Sequence, residues 1–102
     1  MIEVENNILK PERMSLVKFG AKWCGPCRAL QPNLDLIEEE IKDIDIFNVD
    51  IDKNEELTIK FGIRSVPAVF LIDKYENILG SFIGIKSKEY IEEMINNRKL
   101  DN

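Results

Sequence analysis

Leu30, Leu34, Ile37 and Ile41 follow one another at spacings of four, three and four, the repeat of a single helical face. The pattern predicts a helix from Cys24 onward, with Glu38, Glu39 and Glu40 on its solvated side. Pro32 falls inside it and is expected to kink it, because proline lacks an N–H and crowds the preceding turn. Upstream, Met14–Gly20 reads as a strand that carries one charged residue, Lys18. Downstream, Ile44–Ile51 alternates as a strand does. Asn54 is placed to cap a short helix bearing Leu57 and Phe61, with Gly62 at its C-terminal end. Ala68–Ile72 is a compact apolar strand, Asp73–Asn77 a turn, and Ile78–Ile83 the returning hairpin partner. Ser87 is expected to cap a last helix with Ile91, Met94 and Ile95 inward, ending near Asn97 with the final residues frayed. After a short strand at Ile2–Val4 the order is β, α, β, α, β, β, α. Such alternation predicts an α/β fold, a central mixed sheet flanked by helices on both faces.

A chain of 102 residues fits a single domain over residues 1–102, and no repeat or linker divides it. Its net charge of −5 disfavours nucleic acid, whose phosphates are held by clustered Lys and Arg, and disfavours an anionic membrane surface. The apolar runs are strand-length, far short of the roughly 20 residues that span a bilayer. The N-terminal stretch lacks the pattern of a secretion signal. The expectation is a cytoplasmic protein, where cysteines are kept reduced. The chain has no histidine, which removes the commonest general base and the commonest transition-metal ligand. Asp50, Asp52 and Asn54 imitate the start of a calcium loop, but Glu55 stands where the loop needs glycine and Phe61 where it needs a bidentate acid.

Both cysteines lie in Trp23-Cys24-Gly25-Pro26-Cys27. With Cys24 at the mouth of a helix, its sulfur faces unpaired N–H groups and the positive end of the helix dipole. Both favour thiolate and lower the thiol's pKa. Cys27 comes one turn later and returns toward Cys24. The spacing suits a two-step exchange, in which Cys24 attacks a disulfide and Cys27 then displaces it from the mixed disulfide. Pro26 pre-sets the helix start, and Gly25 leaves space for a partner chain. Two other readings remain: half of a metal site, whose other half this chain lacks, or two inert core cysteines. Trp23 reads as the shaper of a surface beside the thiol or, alternatively, as a core residue.

The pentapeptide resembles the active site of the thioredoxin family, and the resemblance runs from about Leu16 to Ile95. Pro32 matches the proline of that family's active-site helix, Val66-Pro67 its cis-proline loop, and Gly84 the glycine beside the site. The resemblance implies a protein-disulfide reductase that acts on disulfide-containing proteins and is recharged by a thioredoxin-reductase-type enzyme. It implies no metal or organic cofactor and a monomer. Cys24 is then the attacking thiol and Cys27 the buried resolving thiol. Trp23, Gly25, Pro26, Val66, Pro67, Ile83 and Gly84 form the surface that receives substrate backbone. Val66-Pro67 is expected to be cis and to present the backbone of Val66. A narrower, glutathione-linked or single-target role is the alternative, as is a binding module that uses the fold as a scaffold.

Three positions depart from the family's pattern. Lys18 stands where it usually has a buried aspartate beneath the resolving cysteine, and Asn48 where it has that aspartate's lysine partner. Lys18 therefore either places an ammonium near Cys27, serves as a neutral base, or buries its stem and reaches Asp50, Asp52 or water; the last is the preferred expectation. Gly20 replaces an aromatic residue and is expected to thin the packing. The segment Glu5–Glu12 is expected to be a loop or turn in place of a first helix.

Overall fold

The computed structural model describes residues 1–100. Along the chain lie β1 (Ile2–Glu3), β2 (Ser15–Gly20), α1 (Gly25–Glu40), β3 (Asp45–Asp50), α2 (Glu55–Lys60), β4 (Ala68–Ile72), β5 (Ile78–Ile83) and α3 (Lys88–Leu100). The five strands form one mixed sheet in the order β1-β3-β2-β4-β5. β3 runs parallel to both β1 and β2, while β4 is antiparallel to β2 and to β5.

Every residue of β2 is buried, as befits a central strand, and its alternation serves two cores. Leu16 joins Leu30, Leu34 and Ile37 of α1 and Ile91 and Ile95 of α3 on one face. Val17 and Phe19 join Val49, Leu57 and Ala68 on the other, beneath α2. The same alternation carries Lys18 to the α1 face. Its neighbour in register on β3 is Asn48, which is in turn opposite Glu3 of β1. A polar row thus crosses the sheet from its edge to its centre.

The α/β reading holds, with small differences at element ends. β1 stops at Glu3, although the N–H of Val4 still reaches the carbonyl of Asn48. Ile41 lies just past α1 as its C-cap and packs against the core from there. α3 runs on to Leu100 instead of ending near Asn97, and Ser87 Oγ accepts the N–H of Tyr90 at its start. Of the final residues expected to fray, 98–100 belong to the helix, and 101–102 lie outside the described residues. Pro32 sits inside α1. Gly62 ends α2 with φ +65°, a conformation that suits glycine.

Asn54 precedes α2, but its side chain makes no capping bond. It turns to the N-terminal segment, where Oδ1 accepts the N–H of Asn7 and Nδ2 donates to the carbonyl of Val4. The cap comes from Asn7, whose Oδ1 accepts the N–H of Leu57. The segment before β2 is a turn and loop, as expected, with Asn6 and Asn7 at φ 54° and 60°. It replaces the local cap by a distant one.

Candidate active site

β2 ends at Gly20, and the chain turns through Ala21–Trp23 to bring Cys24 to the head of α1. Cys24 is extended (φ −89°, ψ 108°) and its Sγ accepts the N–H of Cys27 at 3.1 Å. The sulfur thus occupies the place of a capping hydroxyl, and Pro26 follows in the first turn. Cys24 and Cys27 form a disulfide with Cα atoms 5.3 Å apart. In that state Cys24 is 4% and Cys27 2% exposed.

β4 and β5 complete the same end of the sheet. The Val66-Pro67 peptide is cis, as expected, and the Val66 carbonyl oxygen lies 3.7 Å from Cys24 Sγ. This is a contact, since a disulfide sulfur carries no proton. The carbonyl of Pro67 accepts the N–H of Gly84 at 2.8 Å. Gly84 takes φ +86°, which a side chain would strain. Ile83 pairs with Ala68 at the start of β4 and stays exposed. Trp23 is 66% exposed, and its Nε1 donates to Asp52 at 3.0 Å. Beside it an apolar cavity of about 290 Å³ is lined by residues that include Trp23, Ile51, Ile63 and Val66. Gly25 and Pro26 are exposed between the cysteines.

Lys18 is 7% exposed. Its Nζ donates to Oε1 of Gln31 at 3.1 Å, and Gln31 Nε2 donates on to Asp35 at 2.8 Å. The expected partners, Asp50 and Asp52, are not the ones it meets. Lys18 points to the α1 face, where Gln31 lies one turn beyond Cys27, while Asp52 is held by Trp23 and Asp50 by the N–H of Asp52. Burial pushes the Lys18 pKa below its ordinary value, opposed by the more distant charges of Glu3 and Asp35. Gly20 does more than thin the packing. A Cβ there would meet Lys18 Cε at 3.1 Å and Cys27 Sγ at 3.2 Å, so the missing side chain is the room in which the lysine stem lies beside the sulfur. An open cavity of about 200 Å³ adjoins Lys18 and Gly20, lined also by Ala21, Lys22, Asn48 and Asp50.

Lys18→Met keeps the stem and removes the charge. The oxidised protein is expected to gain stability on the order of 1 kcal/mol at neutral pH, because burying a charge against a neutral partner is costly. A lysine whose folded pKa is lowered binds fewer protons folded than unfolded between its two pKa values, so the wild type recovers stability as pH rises through that window. The gain is therefore expected to shrink toward alkaline pH. Thermal melts of both proteins across pH read this directly, and a gain that grows with pH contradicts it.

The sequence reading missed Gln31 and Asp52 as partners. For Gln31 a signal exists, since it stands four residues after Cys27 on the inward face of α1, opposite an inward lysine. Among the described residues no group of three His, Cys, Asp or Glu side chains is placed to hold a metal ion. No helix among them is long and apolar enough to cross a membrane.

A cysteine pair closed at a helix head, with the backbone of a cis-proline loop against the first sulfur, belongs to the thioredoxin-fold class of thiol–disulfide oxidoreductases. Comparison with known proteins carries this further. The thioredoxin family model matches residues 3–97. The thioredoxin of Listeria monocytogenes is 40% identical over 86 residues, 83% of this chain and 82% of its own. That of Rickettsia bellii is 36% identical over 94 residues, 91% and 89% of the two chains, and that of Bacillus subtilis 34% over 86 residues, 83% and 82%. The chain belongs to the thioredoxin family. Membership implies protein substrates that carry disulfides and a reductase that restores the dithiol.

Proposed function

We propose that the chain is a general protein-disulfide reductase in which Cys24 attacks and Cys27 resolves. The observation that supports this most is the Cys27 N–H held by Cys24 Sγ at the head of α1. Once the disulfide is reduced, the same N–H and the helix terminus favour a Cys24 thiolate. A thiolate attacks one sulfur of a substrate disulfide. Cys27 then attacks Cys24, which releases the reduced substrate and leaves the internal disulfide. Trp23, Gly25, Pro26, Val66, Pro67, Ile83 and Gly84 receive the substrate backbone around that sulfur.

The two thiols carry both electrons, so the reaction needs no metal or organic cofactor. A thioredoxin-reductase-type enzyme returns the dithiol. The chain acts as a single domain over residues 1–102, as a monomer in the cytoplasm, where a reducing pool keeps such a pair supplied. Its net charge of −5 favours protein substrates over nucleic acid or an anionic membrane.

The test is reduction of a disulfide-bonded model protein by catalytic amounts of this chain, with a bacterial thioredoxin reductase and NADPH as electron source. Release of substrate thiols over many turnovers is the expected result. Turnover with glutathione but none with the reductase overturns the assignment of the electron donor. No reduction from either source overturns the proposal.

A further inference from the structure

Lys18 is the one side chain with a formal charge among the buried described residues, and two observations tie it to Cys27. Its Cε and the Cys27 sulfur lie 3.1 and 3.2 Å from one point, the place of a Cβ on Gly20. The two atoms are thus no more than about 6 Å apart, and the ammonium lies one bond beyond Cε, near the range of roughly 4–6 Å over which a neighbouring charge governs ionisation. Its hydrogen-bond acceptor is the neutral amide oxygen of Gln31, so no carboxylate among the described residues pairs with it directly. The charged groups that face it are Glu3 on β1, Asp35 on α1, and Asp50 and Lys22 at the adjoining cavity. Two of these carboxylates have partners of their own, Glu3 in Asn48 and Asp35 in Gln31.

We infer that Lys18 is a positioning residue for the resolving step: its ammonium stabilises the Cys27 thiolate of the reduced protein, and Gly20 provides the space that lets it do so. This rests on the reading of Cys27 as the resolving thiol. Cys27 loses its proton to solvent water. The resulting thiolate forms a bond to Cys24 Sγ as the bond from Cys24 to the substrate sulfur breaks. The substrate sulfur leaves with that electron pair and is protonated by water. The dithiol is oxidised, the substrate disulfide is reduced, and Lys18 keeps its proton throughout. Its charge acts on a thiolate and hardly on a thiol, so it favours the reduced protein only where Cys27 is ionised.

The experiment compares wild type with Lys18→Met and Lys18→Arg. The Cys27 ionisation is followed by thiolate absorbance in the reduced proteins. The reduction potential is measured against dithiothreitol buffers from acidic to alkaline pH. Lys18→Met is expected to raise the Cys27 pKa by about one unit, a tenfold change in thiolate population. Its potential is expected to equal the wild type's at acidic pH. Above the Cys27 pKa, and as long as Lys18 keeps its proton, it becomes more negative by roughly 30 mV, the tenfold change expressed for a two-electron couple. Lys18→Arg, which keeps the charge, is expected to behave as the wild type. An unchanged Cys27 titration in Lys18→Met overturns the inference, as does a potential offset that is the same at every pH. If Cys27 is not the resolving thiol, that shows separately, because Cys27→Ser in the wild-type background then fails to hold a mixed disulfide.

Discussion

Cys24→Ser is expected to bring disulfide reduction down to the uncatalysed background, while Cys27→Ser stops the protein halfway, bound to its substrate. The two cysteines are adjacent in space but differ in surroundings. Cys24 follows the exposed Trp23 in the chain, and its Sγ lies against the Val66 carbonyl. Cys27 sits on the inner side, against Gly20 and the Lys18 stem. A substrate strand that runs along Val66 meets Cys24 first. Serine ionises far above the thiol range and does not displace a sulfur at neutral pH, so Cys24→Ser removes the attack itself. A loss of at least roughly a thousandfold is expected, about 4 kcal/mol of transition-state stabilisation. Cys27→Ser leaves the attack in place and removes only release, so a covalent adduct accumulates. Non-reducing electrophoresis and mass measurement after mixing with a disulfide-bonded protein read both outcomes. An adduct on Cys27 in the Cys24→Ser protein exchanges the two roles.

The reach of the sequence differed between the backbone of the site and its polar shell. The strand–helix junction was legible because each local signal agreed: an apolar run, then Gly25 and Pro26, then an apolar face at helical spacing. The hairpin of β4 and β5 came out with its observed bounds for the same reason, two apolar runs around a polar turn opened by Asp73 and closed by Asn77. The misses are side-chain partners set by parity across the sheet. The sequence offers Lys18 water or a carboxylate such as Asp50 or Asp52. Strand alternation instead sends it under α1, where Gln31 is the acceptor. Asn54 follows the same logic. Its type and place made it a cap, yet a loop more than forty residues away both occupies its side chain and supplies Asn7 in its place. Local preference states what a residue does when nothing else competes for it, and here a distant backbone competes.

Phe19→Ala is expected to be the most damaging single truncation in the sheet. Phe19 is fully buried on β2. Its ring centroid lies 5.0 Å from that of Phe61 and 5.8 Å from that of Phe70, and those two are 5.1 Å apart. The three rings join the central strand, the end of α2 and β4. Loss of one ring removes its transfer free energy, opens a cavity, and unpairs two edge or tilted contacts. The cost is expected to be about 3–5 kcal/mol, a large share of a small protein's stability, and a fall in Tm of at least roughly 12 °C. Phe19→Leu, which keeps most of the volume, is expected to cost about half as much and to remain folded if the alanine variant does not. The side chain faces α2 and away from Lys18 and Cys27, so the Leu variant is expected to keep the rate of disulfide reduction per folded molecule. Urea titration of both variants, with an activity assay on the folded fraction, separates the two effects. A cost below about 1 kcal/mol for the alanine variant shows that the aromatic triad does not anchor β2. A fall in the activity of the folded Leu variant shows instead that packing beneath the strand reaches the cysteines through the backbone of Gly20.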